Sequence, residues 1–349
     1  MADIQFTEVN TVATKLINPG VVDNYFKAGP LMAYLKTRFN RKWTGPQIQE
    51  NYEYGALRGG AYKKGATFNI TPRQTRSGII FDPRYYQVSI TEFLEDLEVE
   101  MAGPTAVFSK LKADMANAAL TLSAILEIAL FHNGQNVGGA DRTAELNGLE
   151  EALTDGTSAT WTGAVFPTYG GQTRTAVAPA LNSPTGLIPA SVAQTSFRML
   201  EHSFQSCTIG AERPKLGITT NREMGYIAET FTPQQKIDVL DPEINWPGLK
   251  FNTATLVESQ YCPGQDGVND PFLGNYSNTS ETFWWLNPGP QGDDAYLRLY
   301  IAQSPKFAFG FTGFKGARDD NQVSGQILFG GNFTVRAPRL SRGLYGMTN

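Results

Sequence analysis

The chain has 349 residues, with 29 Lys and Arg against 33 Asp and Glu and a formal net charge of −4. That length supports a large core and two domains, and the near-neutral balance excludes a chain that grips nucleic acid through a global positive field. Thirty-five Gly, 20 Pro, 21 Phe and 14 Tyr point to β structure with long connections, and the two cysteines, Cys207 and Cys262, exclude a disulfide framework and fit a reducing compartment.

Residues 1–20 read as an extended arm. The opening MADIQFTEVN has neither the basic nor the apolar region of a secretory signal, so synthesis in the cytosol is expected. A first helix is expected over Val21–Arg38, interrupted at Gly29-Pro30. A ribbon follows over 46–91, with strands at Gln47–Tyr54 and Gly78–Thr91. Between them runs ALRGGAYKKGATFNI, with Arg58, Lys63 and Lys64 and no acid. Gly103-Pro104 then opens a helix with proline in its first turn. Phe108, Leu111, Met115, Ala118, Leu122, Ile125 and Ala129 recur at alternating spacings of three and four, the seam of one long helix over 104–134. The apolar run within it is too short to span a bilayer and contains Glu127, so no membrane partner is expected.

Residues 155–190 are rich in Gly, Thr, Pro and Ala and nearly uncharged, which reads as an insertion with a hairpin. A helix over Ala190–Ser206, a strand at Lys215–Thr219 and a helix over Asn221–Glu229 follow. Further strands are expected at Leu249–Val257, Thr282–Leu286, Ala295–Ile301, Phe307–Phe311 and Gln326–Val335, with a polar, aromatic loop at 258–281.

The small net charge hides two neighbouring segments of opposite sign. Residues 36–84 hold ten cations and three acids, and residues 85–155 hold twelve acids and three cations. A two-stranded ribbon is marginal alone in water, and its edges invite another chain. The ribbon's cations Arg58, Lys63, Lys64, Arg73 and Arg76 are therefore candidate contacts to a neighbouring copy, with Glu92, Glu95, Asp96, Glu98 and Glu100 as their acidic counterpart. Such head-to-tail contacts close into rings or shells, and the opposed charges steer the docking more than they strengthen it. Solvated surface charge is the plainer reading of the same residues.

Signs of chemistry are few. No phosphate-binding G-x-x-x-x-G-K-[ST], no G-x-S-x-G and no H-E-x-x-H occurs. His132 is placed at a helix end, against carbonyls, and His202 in a helix beside Phe204, as a structural residue. Asp293-Asp294 and Asp319-Asp320 read as turn acids without metal partners. In FWWLNP, strand alternation puts one of Trp284 and Trp285 in a core and the other outward. Arg336, Arg339 and Arg342 near the C-terminus are weak candidates for nucleic acid. No catalytic residue, cofactor or metal site is expected.

Three stretches carry a family likeness. FDPRYYQVSITEFLEDLE leading into AVFSKLKADMANAALTLSAILEIALFHNG, the strand-then-helix KLGITTNREMGYIAE, and the closing FAFGFTGFKGARDDNQVSGQILFGGNFTVRAPRLSRGLYGM together resemble the tailed-bacteriophage major capsid protein family, whose fold is called Hong Kong 97-like. The resemblance implies an α+β chain with an N-terminal arm and first helix (1–45) and an extended β-hairpin loop across a neighbour (46–91). It implies a peripheral domain (92–154) with the spine helix at 104–134, an insertion (155–190) and an axial α/β domain (191–282). Return strands of the peripheral domain (283–336) and an axial C-terminal segment (337–349) complete it. It further implies hexamers and pentamers of the chain in an icosahedral shell around double-stranded DNA, held without sequence-specific contacts, and a virion location after assembly in the host cytoplasm. A separate scaffolding protein, a portal and a decoration protein are the other implied partners. Two other readings are an encapsulin-like bacterial compartment and a soluble β-rich carbohydrate-binding protein or enzyme using the aromatic loops at 258–286.

Overall fold

The computed structural model describes residues 29–38, 40–68, 70–93, 104–137, 140–177, 180–184, 194–231, 238–240, 247–290, 292–316 and 321–348. The expected arm and the first part of the expected first helix lie outside them. Four helices of more than two turns are described: α1 (Pro30–Arg38), α2 (Pro104–Phe131), α3 (Phe197–Ser206) and α4 (Asn221–Thr230). The strands of the N-terminal part are β1 (Asn40–Trp43), β2 (Ile48–Glu53), β3 (Arg76–Phe81) and β4 (Arg84–Phe93). Those of the middle are β5 (Leu216–Thr219), β6 (Asp238–Leu240), β7 (Pro247–Phe251), β8 (Ala254–Glu258) and β9 (Glu281–Leu286). The last are β10 (Leu297–Ala302), β11 (Ala308–Phe311), β12 (Lys315–Gly316), β13 (Gln322–Val335) and β14 (Arg342–Met347).

Two six-stranded sheets organise these elements. The first is built on the 14-residue β13, which pairs antiparallel with β4 along Gln322–Gly331, with β10 along Gly331–Val335, and with β11 and β12. β1 adds to β10 in parallel. The second sheet has the order β6-β7-β8-β5-β9-β14, parallel only between β8 and β5. Its helices start as their sequence dictates. Ser196 caps α3 by accepting from Met199 N at 3.2 Å, and Thr220 caps α4 by accepting from Glu223 N at 3.1 Å.

α2 lies over both sheets. Leu111, Met115, Ala118, Leu122 and Ala129 of the expected seam are buried and Ile125 is half-buried. They share one core with Leu297, Phe329 and Phe333 of the first sheet and with Ile218, Trp284 and Leu286 of the second. The stretch Ala113–Phe131 is long and apolar enough to cross a membrane, yet most of it is buried against these sheets. A second core, with Leu200, Phe204, Ile227, Phe251 and Trp285, fills the opposite face of the second sheet.

Several expectations are corrected. The strand expected at Gly78–Thr91 is two strands, because Asp82-Pro83 interrupts it: β3 stays in the ribbon, and β4 leaves it for the first sheet. Leu249–Val257 is a hairpin of β7 and β8, turned at Asn252, whose φ is +48°. β9, expected at Thr282–Leu286, starts one residue earlier and belongs wholly to the second sheet. Trp284 and Trp285 are both fully buried, because this sheet is covered on both faces and alternation only chooses which core each enters. His202 is exposed on α3 rather than packed.

α1 is held through its N-terminus. Leu31 N and Met32 N donate to Oε1 and Oε2 of Glu127 at 3.1 and 2.9 Å, so a buried carboxylate on α2 satisfies the free amides of another helix. Gly29 is required beside it, since a Cβ there would lie 2.3 Å from Glu127 Cδ. Burial pushes the Glu127 carboxyl up to about 7, against the lowering effect of the two amides. A folded pKa raised above the unfolded one gives stability that is complete below about pH 4.5 and lost as pH rises through about 7. The Glu127→Gln variant is therefore expected to gain up to about 3 kcal/mol relative to the parent chain between pH 4.5 and 8. Denaturant midpoints of both proteins across that range check this, and parallel curves would refute it.

Candidate assembly interface

The ribbon is anchored at its base and bare at its tip. In β2 the alternation places Ile48, Glu50 and Tyr52 inward and Gln49, Asn51 and Glu53 outward. β3 pairs with it in antiparallel register from Ile48 opposite Phe81 to Glu53 opposite Arg76. A small hairpin, Thr168–Tyr169 with Gln172–Thr173, grips this base. Ile80 N donates to Gly170 O at 3.0 Å, Gln172 Nε2 to Gly78 O at 3.1 Å, and the Phe81 and Tyr169 rings meet edge to face at 5.1 Å. Gly170 and Gly171 both have positive φ, as a two-residue hairpin turn demands. Gly170 also leaves room for Ile79, whose Cβ would lie 2.6 Å from a Cβ at position 170.

A buried charge network makes the second anchor. Glu50 accepts from Arg298 Nη1 at 2.9 and 2.8 Å, from Tyr300 Oη at 2.6 Å and from Thr334 Oγ1 at 3.4 Å. Arg336 Nε lies 3.4 Å from the same carboxylate. Arg298 comes from β10 and Thr334 from the β13 residue opposite it, so one ribbon side chain is locked across two strands of the first sheet. The sequence reading missed this pair. The signal was a lone cation inside the apolar strand LRLYIA, and a carboxylate sharing the buried face of Ile48 and Tyr52.

Beyond the base, Tyr54 N and Gly55 N still reach Thr75 O. Every described residue from Ala56 to Gln74 is exposed. A turn at Lys63–Ala66 and an edge contact between Tyr62 and Phe68 at 4.9 Å are the main local contacts of the tip. Leu57, Tyr62, Phe68 and Ile70 are 78, 68, 62 and 88 % exposed. Arg58, Lys63, Lys64 and Arg73 lie in this tip, and among the described residues none is ion-paired. Arg76 sits at the base and pairs with Glu53 at 3.6 Å, both well exposed. Glu92 lies at the far end of β4, buried, opposite Val323. Glu95, Asp96, Glu98 and Glu100 lie outside the described residues. Within the described chain, the basic tip thus has no acidic partner.

Several of the groups that could do chemistry are engaged in the fold. His132 Nε2 bonds to Asn275 O at 2.5 Å, and burial, with Arg142 nearby, holds its pKa down at about 3, so it is neutral. Cys207 and Cys262 are buried, and burial pushes their thiols up to about 11 and about 12. Asp293 pairs with Arg41 at 3.2 Å, Arg342 donates to Ser206 at 2.7 Å, and Asp319-Asp320 lie outside the described residues. Among the described residues no group of His, Cys, Asp and Glu could hold a metal. An open groove of about 920 Å³ runs beside the ribbon base, lined by Tyr54, Ile209, Glu212, Tyr296 and Arg339, with no nucleophile and base set together in it.

No family model and no curated protein matches the chain. Solved structures do match it along most of its length. A capsid subunit of cyanophage A-1(L) is similar at a TM-score of 0.63 and 16 % identity, over 92 % of this chain and 93 % of that one. The capsid subunit of a native GTA particle is similar at 0.55 and 9 % identity, over 88 % of both chains. The holo-SrpI encapsulin of Synechococcus elongatus PCC 7942 is similar at 0.55 and 8 % identity, over 89 and 86 %. The fold is thus shared over most of the chain with capsid structures, and this chain has the Hong Kong 97-like capsid fold.

Proposed function

We propose that the chain is the major capsid protein of a tailed double-stranded DNA bacteriophage, and that many copies close into an icosahedral shell around the genome. The observation that carries this reading is the ribbon tip: a clamped base presents, among the described residues, four cations without an ion pair and four exposed apolar side chains. The ribbon takes the role of the extended loop across a neighbour. The first sheet with α2 takes the peripheral role, and the second sheet takes the axial role in hexamers and pentamers. Interlocked contacts of this kind make dissociation slow, because several must fail together. A modest net charge suits a wall that contains DNA without gripping it. The reading implies a scaffolding protein, a portal and a decoration protein as partners, assembly in the host cytoplasm and a final location in the virion.

Reversing Arg58, Lys63 and Lys64 to Glu is expected to leave the monomer folded and to raise the concentration needed for assembly about tenfold, or about 1.4 kcal/mol per copy. Light scattering with negative-stain microscopy reads this, and unchanged assembly at ordinary salt would refute the electrostatic docking. The encapsulin likeness supports a second reading, a compartment that holds no genome. Nucleic acid co-purifying with native particles separates the two. Trp284 and Trp285, both buried, offer no platform for a sugar.

A further inference from the structure

Five large apolar side chains among the described residues are more than 60 % exposed. Four are in the ribbon tip, and the fifth is Phe272, at 82 %. Phe272 is no loose end. It caps a short hairpin, Asn269–Asp270 with Gly274–Asn275, in which Asp270 Oδ1 accepts from Phe272 N at 2.7 Å and Leu273 N at 2.9 Å. Tyr276 N reaches Val268 O at 3.1 Å, Asn278 N reaches Gly264 O at 2.9 Å, and the His132 contact to Asn275 O ties the hairpin to the end of α2. The fold therefore holds one phenylalanine out in water on a fixed mount, beside a half-exposed Val268.

The charges around it are the reverse of those in the tip. Residues 264–278 contain Asp266 and Asp270 and no cation, while residues 54–75 contain four cations and no acid. Asp266 remains well exposed although Arg222 lies 3.7 Å away. We infer that the hairpin at 264–278 is the seat of the ribbon tip of a second copy of this chain. Phe272 packs among Leu57, Tyr62, Phe68 and Ile70, and Asp266 and Asp270 face Arg58, Lys63, Lys64 and Arg73. Opposed charge orients the encounter, and an aromatic anchor among apolar side chains supplies the buried centre that such contacts need. The inference rests on the shell reading and adds to it a receiving surface.

Cross-linking tests it. Tyr62→Cys and Phe272→Cys chains are co-assembled, and the particles are treated with a short bis-maleimide, to which each thiol adds across a C=C bond with no leaving group. The native thiols are buried and stay out of the reaction. Mixed dimers joining position 62 to position 272, identified by mass spectrometry, are expected at least tenfold above a control pairing Tyr62→Cys with Phe197→Cys. Particles without that excess overturn the inference and leave the shell reading intact, and a different protein seated on Phe272 gives the same negative result. If the unsubstituted chain forms no particles, the shell reading fails and takes the inference with it. If only the cysteine variants fail to assemble, a charge exchange decides. Asp266→Lys added to Lys63→Glu/Lys64→Glu restores assembly if the seat is right, and fails to restore it if the seat is wrong.

Discussion

Replacing Arg298 with Met is expected to lower the folding free energy by about 3–5 kcal/mol, the usual cost of breaking a buried ion pair from one side. Both side chains are nearly inaccessible, at 5 % exposure for Arg298 and 3 % for Glu50. Removing the guanidinium strands a carboxylate that water does not reach. Tyr300, Thr334 and Arg336 still face Glu50, and Arg336 recovers part of the loss. The double variant Glu50→Gln/Arg298→Met should cost clearly less than Arg298→Met alone, because no charge is then left buried. Denaturant titration of the four proteins of the cycle gives the coupling. Hydrogen exchange should also locate the damage, with the amides of β2 and β3 losing protection before those of β13. A single variant no worse than the double would show that Glu50 is not held by this pair.

Trp285→Ala should be similarly severe, at about 3–5 kcal/mol. The indole is fully buried between Phe204, Phe251 and Phe283, with ring centroids at 5.3, 5.5 and 4.7 Å, and Nε1 donates to Ser203 Oγ at 2.8 Å. Rigid rings on three sides cannot collapse into the space, so the loss includes the cavity as well as the transfer of the side chain. Its neighbour Trp284 enters the other core, against Phe131 and Tyr345, and its Nε1 has only the Cys262 thiol, a weak acceptor, to face. Trp284→Phe is therefore the milder change, with no strong buried hydrogen bond to lose. Calorimetry of the two variants separates them, and an equal drop in both would argue against this account of Trp285.

The contrast between these two tryptophans shows what a single sequence reveals. Periodicity reports which face a residue takes and is silent on whether that face meets solvent or a second core. The strand at 281–286 was legible and its alternation correct, but the coverage by α3 and α4 on one side and α2 on the other is a tertiary fact. The seam of α2 was readable because every spacing in it agrees with one helix. The ribbon's basic tip was readable from charge and glycine content, yet its boundary was not. A proline after Asp82 marks a break without saying which sheet the next strand joins. Glu50 with Arg298 escaped notice because 248 residues separate them, and only the register of β10 on β13 brings them together. Phe272 looked like one aromatic residue in a polar loop, and nothing in the letters says that two backbone amides fix it outward.

The hairpin turned at Gly170-Gly171 acts as a fulcrum. Each limb of the tip is about 11 residues, reaching at most about 40 Å when fully extended. A tilt of 5° at the fulcrum would carry the far end by about 3 Å, most of the width of one strand spacing. Bulk added where Ile79 nests on Gly170 would re-aim the far end without altering a single residue there. In the proposed shell, the spacing between copies is in this way adjustable from a place remote from the tip, which gives a lineage of such chains a route to new particle dimensions through substitutions at a hinge.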